Sequence, residues 1–529
     1  MYEFKQLDGR SCMTSKWVGI EHQIFTAILL FSTNILYLLD VYSILKLAEF
    51  VSVSMILFIS LWFICFLVSF SKLLFLSVIF LLFILSSFIN YYKYYYKIII
   101  SSSLVESVLA TNTNEVSELF NLSLLIWMAL FIILPCILII WVMKCNLPKI
   151  SKKVYFSILI IAISSALIIL PNKSYKLRYI SNSLCSFMPF NFILTAKNYW
   201  LLHNNNKELR NNINKHFDFS RKDKDHINVV LVIGESARSD HFDINGYKKN
   251  TTPNLSKIKN LITYPHAYSL ATNTVMGVQR IMQKDNRGDL SSFIQAFNGL
   301  GFDTYWFSNQ DARYSMINEI VKEANNYLLS DDIRFAKTGN NYDMDLLPYV
   351  QKVINQNKHN LIILHTIGSH RLYDLRYPES FRKFKPTCLN NELYYSVNEC
   401  RDLEKLNNSY DNSILYTDYF LSELIKILDK NNAILIYLSD HGESLGENGI
   451  YAHATPLESA PIEQIHIPFF VWMSNSLLSK QDYQIFFNNI KSNISLKIDQ
   501  SYVFHSIMDC AGITSESIDK DKSICKSHN

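Results

Sequence analysis

The distribution of apolar positions divides the chain into two parts. In the first, runs free of Asp, Glu, Lys and Arg recur at 23–39, 50–70, 73–92, 122–142 and 154–170. Each is near the length of about 20 residues that an α-helix needs to cross a bilayer, so five transmembrane helices are predicted. From 227 onward the pattern changes: continuous apolar runs at 227–233, 302–307, 361–364, 434–438 and 468–473 are separated by helical stretches. Short runs that are apolar without alternation read as strands buried on both faces. Ile414, Leu421, Leu424, Ile425 and Leu428 recur at helical spacing and mark one apolar face. Alternating strands and helices predict an α/β domain with a largely parallel central sheet. The expected organisation is a five-helix transmembrane domain over 1–171, a linker over 172–226 and an α/β domain over 227–529.

Charge refines this picture. Charged residues make up 18% of the 529 positions, below the usual quarter, and they crowd into the second part. With the N-terminus inside, the cytoplasmic connections hold Lys5, Arg10, Lys16, Lys72, Lys144, Lys149, Lys152 and Lys153, and the outer ones hold Lys46, Lys93 and Lys97. Positive charge accumulates on the cytoplasmic side, so the chain is read as N-inside. An odd number of spans then places everything after Pro171 outside the cytoplasm. The first run is read as a retained anchor, because no small-residue cleavage pattern follows it and four more spans do. Over 172–226, ten Lys and Arg stand against four acids and interleave with Phe187, Phe190, Phe192, Tyr199 and Trp200. That composition fits either a segment on an anionic membrane surface or a solvated linker. The formal net charge is only +4, and no nucleic-acid partner is expected. Of nine cysteines, Cys65 and Cys136 fall within spans, whereas Cys388, Cys400, Cys510 and Cys525 fall in the exported part. Four cysteines allow three pairings; nearest neighbours, 388 with 400 and 510 with 525, are the pairing expected in an oxidising compartment.

Polar clusters follow the predicted strands, where chemistry gathers in α/β sheets. The first strand runs into Gly234-Glu235-Ser236-Ala237-Arg238-Ser239-Asp240, and the strand at 434–438 into Ser439-Asp440-His441-Gly442-Glu443. Carboxylates and an imidazole converging from two strand ends suit a divalent ion, and the mixed N/O set suits zinc. Glu235 alone could equally be a helix cap; beside an Asp-His pair, a metal ligand is the economical reading. His365 and His370 follow the strand at 361–364, and His453 lies twelve residues beyond His441; His370 and His453 are the favoured partners of the site. Ser269, Thr272 and Thr274 supply hydroxyls that a bound cation could activate, and their residue types do not rank them.

These segments carry a resemblance. GESARSDHFDINGYKKNTTPNL at 234–255, ATNT at 271–274, HTIGSH at 365–370 and SDHGESLGENGIYAH at 439–453 resemble the lipid A phosphoethanolamine transferases, including those that confer polymyxin and colistin resistance. The resemblance runs from the membrane anchor to the C-terminal domain. It implies an alkaline-phosphatase-like catalytic domain, a catalytic zinc held by Glu235, Thr274, Asp440 and His441, and Thr274 as nucleophile. It also implies His370 and His453 on the substrate side or at a second zinc, and Thr111 and Glu115 at the lipid headgroup. Localisation would be the bacterial inner membrane with the catalytic domain in the periplasm. The donor would be phosphatidylethanolamine and the acceptor lipid A or a core glycolipid. Leu270, Gln279 and Arg280 stand where members that modify lipid A commonly carry cysteines and a proline, which leaves the acceptor open among lipid A phosphate, Kdo, heptose and periplasmic glucan. The competing expectations are a phosphoglycerol transferase or sulfatase of the same superfamily, and an inactive membrane sensor or scaffold. The missing Cys/Ser-x-Pro-x-Arg pattern counts against a sulfatase, and the complete ligand set against a scaffold.

Overall fold

The computed structural model describes residues 18–42, 47–96, 105, 108, 122–145, 187–211, 219–221, 225–284, 292–310, 317–330, 332, 342–354, 358–389, 400 and 402–528. The chain divides into two compact units, Met1–Ile100 with Phe120–Asn198, and Ser101–Leu119 with Tyr199–Asn529.

The first unit is helical. Its described helices are α1 (Ile20–Ser32), α2 (Ile35–Tyr42), α3 (Leu47–Leu67), α4 (Lys72–Tyr96) and α5 (Leu122–Val142). α6 (Phe190–Asn211) follows within the basic stretch. Among the described residues, Lys72–Tyr95 and Leu122–Val142 are long and apolar enough to cross a membrane, and Ile20–Ser32 and Val53–Leu67 are shorter apolar helices. The run at 23–39 is therefore not the single long helix expected. It breaks between α1 and α2, where Ser32 Oγ donates to Leu29 O (2.7 Å), Thr33 Oγ1 to Leu30 O (2.7 Å) and Asn34 Nδ2 to Leu30 O (3.3 Å). Such side chains offer the backbone an alternative to the helical ladder. The run at 154–170 lies outside the described residues, as do Thr111 and Glu115. Ala27, Leu57, Leu61, Phe75, Ile79 and Phe83 pack the inside of this unit, while Leu73, Leu81, Ile137 and Trp141 are exposed. Apolar side chains facing outward on a helical unit are what a hydrocarbon solvent favours.

The second unit is built on a seven-stranded sheet. Its strands are β1 (Asn228–Gly234), β2 (Leu261–Thr263), β3 (Asp303–Ser308), β4 (Asn326–Leu328), β5 (Asn360–His365), β6 (Ala433–Ser439) and β7 (Phe469–Met473). They lie in the order β2-β7-β6-β1-β5-β3-β4. All five predicted runs are strands; β2 and β4, three residues each, are edge strands too short for their pattern to reveal. The pairings of β1 with β5 and β6 and of β3 with β4 and β5 are parallel, whereas β7 runs antiparallel to β6 and β2. The sheet is mixed: it is largely parallel, as expected, and β7 alone runs against its neighbours. The reason lies in the connection: a parallel return needs a crossover, usually a helix, and between Ser439 and Phe469 there are only 3-10 turns and the short ribbon of Ser444–Leu445 with Tyr451–Ala452.

Both faces of the sheet are covered, which is why its central strands carry no polar alternation. Val229, Leu231 and Ile233 of β1 pack in one layer with Val275, Val278 and Ile281 of α7 (Thr274–Met282) and with Phe504, Ile507 and Met508 of α9 (Ser501–Cys510). Val230 and Val232 pack in the other with Ile414, Leu421 and Leu424 of α8 (Leu403–Leu428), the helix marked by the apolar stripe. Full burial of each such side chain is worth about 1.5–3 kcal/mol. Disulfides join Cys388 to Cys400 and Cys510 to Cys525, the nearest-neighbour pairing.

Candidate active site

Parallel β1 and β6 end side by side, with Gly234 opposite Ser439, so the residues that follow them meet. Glu235, Asp440 and His441 are all fully buried. His441 Nε2 lies 3.4 Å from Glu235 Oε1 and 3.4 Å from Asp440 Oδ2. The third contributor is α7, capped by Asn273, whose side chain accepts from Met276 N. Thr274, first in that helix, donates from Oγ1 to Glu235 Oε2 (3.1 Å) and lies 3.4 Å from His441 Nε2. The other two candidate hydroxyls turn elsewhere: Ser269 Oγ donates to Ala271 O and Asp440 O, and Thr272 Oγ1 to Thr455 O. Of the three, Thr274 alone faces the acids.

The backbone is shaped to allow this approach. Ser236 adopts φ 56°, a left-handed conformation that costs a non-glycine residue of order 1–3 kcal/mol. There its N–H donates to Asp440 Oδ1 (3.1 Å) and its Oγ to Glu235 Oε1 (2.7 Å). Gly368 has φ 47°, and a Cβ there would lie 2.8 Å from Glu235 O; only glycine lets the loop carrying His370 come this close.

The donor set fits a metal ion. His441 Nδ1 sits 2.8 Å from Gly442 O; a carbonyl only accepts, so the proton is on Nδ1 and the Nε2 lone pair faces Glu235, Asp440 and Thr274. Asp440 Oδ2 is buried without a hydrogen-bond partner, a costly state unless a cation completes it. Oxygen and nitrogen donors 3.1–3.4 Å apart match the edge of a tetrahedron with zinc bonds of about 2.0–2.1 Å. Electrostatics agree. Burial opposes charge on Glu235, but the imidazoles of His441, His370 and His453 hold its carboxyl below the usual range. Burial and the adjacent Glu235 push Asp440 well above it. Two buried carboxylates competing for one proton are a place for a positive ion.

His453 and His370 come to the same cluster. The His453 ring lies 4.3 Å from that of His441 and 6.4 Å from that of His370, centroid to centroid. His453 Nδ1 donates to Glu443 Oε2 (2.7 Å), and the other oxygen of Glu443 accepts from the Tyr373 hydroxyl (2.8 Å). Both oxygens of Glu443 are thus engaged, which leaves Nε2 as the free nitrogen of His453. Burial pushes the His370 imidazole down to about 3 against the pull of Glu235, and its Nδ1 has no hydrogen-bond partner. His365 stays beneath the site, its Nδ1 3.3 Å from Ser308 Oγ and its imidazole pushed down to about 4 by burial. Gln310, Asp343 and Tyr373 also bear on the site and were not foreseen. Gln310 follows the end of β3 as Glu235 follows β1, so the same strand-end rule could have found it; nothing in the sequence around Asp343 and Tyr373 sets them apart.

An α/β sheet with buried carboxylates, imidazoles and a helix-initiating hydroxyl gathered at its strand ends defines the class: an alkaline-phosphatase and sulfatase type domain joined to a helical membrane unit. Comparison narrows it. Residues 227–513 match the family described as Sulfatase, and residues 57–199 the family described as Phosphoethanolamine transferase EptA/EptB. The chain is 32% identical to phosphoethanolamine transferase EptA of Helicobacter pylori over 80% of its own length and 79% of that protein's. It is 28% identical to the Kdo(2)-lipid A phosphoethanolamine 7''-transferase of Salmonella typhimurium, over 80% of each. The integral membrane lipooligosaccharide phosphoethanolamine transferase A of Neisseria meningitidis shares the fold at 24% identity, with a TM-score of 0.78 over 95% of this chain and 98% of that one. The chain belongs to the phosphoethanolamine transferase family and is an enzyme of that kind.

Proposed function

We propose that this transferase moves phosphoethanolamine from phosphatidylethanolamine to lipid A or an inner-core sugar at the outer face of the bacterial inner membrane. The carrying observation is that Thr274 Oγ1, at the start of α7, points at Glu235 and His441 while the neighbouring hydroxyls are engaged elsewhere. Family membership supports the phosphoethanolamine group, and the Salmonella relative, named for action on Kdo(2)-lipid A, supports the acceptor class.

Glu235, Asp440, His441 and Thr274 would hold zinc, with His370 and His453 able to serve a second ion or the substrate. When bound, zinc supplies a Lewis acid that lowers the pKa of a coordinated hydroxyl and offsets charge on a phosphoryl group. Thr274 Oγ gives up its proton and attacks phosphorus; the bond from phosphorus to the diacylglycerol oxygen breaks, and diacylglycerol leaves with a proton. An oxygen of the glycolipid then attacks the phosphoethanolamine-threonine, the bond to Oγ breaks, and Thr274 regains a proton while the acceptor loses one. His453, its Nδ1 bonded to Glu443, and His370, kept neutral by burial, would hold or move those protons. Thr111 and Glu115 would meet the donor headgroup. Five spans with the N-terminus inside would put donor, acceptor and site on one surface, and confinement there replaces a search through solution. The added ammonium offsets negative charge on the glycolipid and so weakens attraction of cationic peptides.

The test is mass spectrometry of lipid A and core oligosaccharide from cells expressing wild type or Thr274→Ala. A phosphoethanolamine increment with wild type only, the variant falling by at least about 10³-fold, supports reaction and nucleophile, and the fragment that carries it names the acceptor. No increment on either fraction rejects both acceptors and moves the reading to a periplasmic glucan or a different donor. Equal increments from both chains reject Thr274.

A further inference from the structure

The turn after β3 is tied to the site from an unexpected side. Ser308 Oγ donates to Gln310 O (2.9 Å) and accepts from Gln310 N (3.0 Å), which fixes the turn. From there Gln310 Nε2 donates to Glu235 Oε2 (2.8 Å) and to Thr366 O (2.8 Å). A carboxylate oxygen and a carbonyl both only accept, so the two bonds fix the orientation of the amide. Next to it, Asn309 Nδ2 donates to Asp343 Oδ1 (2.9 Å), and Asp343 also accepts from Ile367 N (2.8 Å) and Gly368 N (3.0 Å). One turn therefore joins the end of β1 to the loop that carries His370.

We propose that Gln310 is a positioning residue for Glu235, holding its carboxylate so that the remaining lone pairs face Thr274, His441 and Asp440. Ser236 takes one lone pair of Oε1 and Gln310 one of Oε2, which leaves a rotation about the terminal bond no freedom without losing a hydrogen bond. A neutral donor is the suitable choice: a cationic side chain would compete with the bound ion, and a carboxylate would repel Glu235. Partners of this kind, one step out from the ligands, set ligand orientation, and their loss weakens metal binding by about 10–100-fold. The proposal rests on Glu235 being a zinc ligand.

The experiment measures zinc affinity of the purified full-length chain in detergent, by competition with a chromophoric chelator, for wild type, Gln310→Met, Gln310→Ala and Glu235→Ala. Gln310→Met keeps the length of the side chain and removes its donors; Gln310→Ala serves where Met packs poorly. The expected result is an affinity loss of about 10–100-fold for either Gln310 variant, a melting temperature of the zinc-loaded form close to wild type, and activity that is lost at limiting zinc and returns at saturating zinc. Wild-type affinity in the Gln310 variants, with Glu235→Ala weakened, overturns the positioning role alone. Wild-type affinity in Glu235→Ala as well overturns the ligand assignment and this proposal with it.

Discussion

At the scale of single residues, contact between backbones decides more than side-chain chemistry. Gly277 lies in α7, and a Cβ there would meet Asp440 O at 2.5 Å and Asp440 C at 3.0 Å. Backbone cannot yield as a side chain can, so Gly277→Ala must push α7 away from β6. Overpacking of this kind costs about 1–3 kcal/mol, and here it also separates Thr274 from Asp440. The expected outcome is a lowered melting temperature together with loss of transfer; unchanged transfer in a stable variant would show that the close approach is dispensable. The hydroxyls of Ser269, Thr272 and Thr274 illustrate what residue identity leaves undecided. Their chemistry is nearly the same, and they separate only because the first two find carbonyl acceptors while α7 starts at the third.

At the scale of elements, the buried strands were legible because a strand covered on both faces carries one unbroken apolar run, and α8 because its apolar stripe repeats at helical spacing. The break between α1 and α2 was not, since hydropathy is blind to Ser32, Thr33 and Asn34 bonding back to their own helix. α9 carries a prediction of its own. His505 is buried, its Nδ1 accepts from Asp519 N (3.0 Å), and burial pushes its imidazole from 6.5 down to about 4. As pH falls below about 6.5 the unfolded chain takes up a proton that the folded chain refuses until about 4. The stability from this group is therefore complete above 6.5 and is lost on acidification through that window. Thermal unfolding of the full chain between pH 7 and pH 4.5 should show a smaller loss for His505→Gln, whose side-chain oxygen can still accept from Asp519, than for wild type. Parallel curves would remove His505 as a contributor.

At the scale of the whole molecule, two units of opposite character share one chain: helices that expose Leu73, Ile137 and Trp141, and a sheet domain that keeps Glu235, Asp440 and Glu443 buried at its strand ends. If the N-inside, five-span reading holds, protease added to spheroplasts will digest a C-terminal tag while an N-terminal tag survives; protection of both would require an even number of spans. What the sequence alone determined was the division into membrane and α/β parts, the buried strands, the family, and the candidate residues. Each of these is written locally, as a run, a spacing or a motif. Tertiary structure alone decided the antiparallel course of β7, the turning of Ser269 and Thr272 toward carbonyls while Thr274 faces the acids, the grip of Gln310 on Glu235 and the engagement of Glu443 by Tyr373. These depend on residues far apart in the chain: 70 positions for Glu443 and Tyr373, 75 for Gln310 and Glu235 and 167 for Thr274 and His441. No local pattern encodes such contacts, because they exist only once parallel strand ends and a helix start are brought within hydrogen-bond distance.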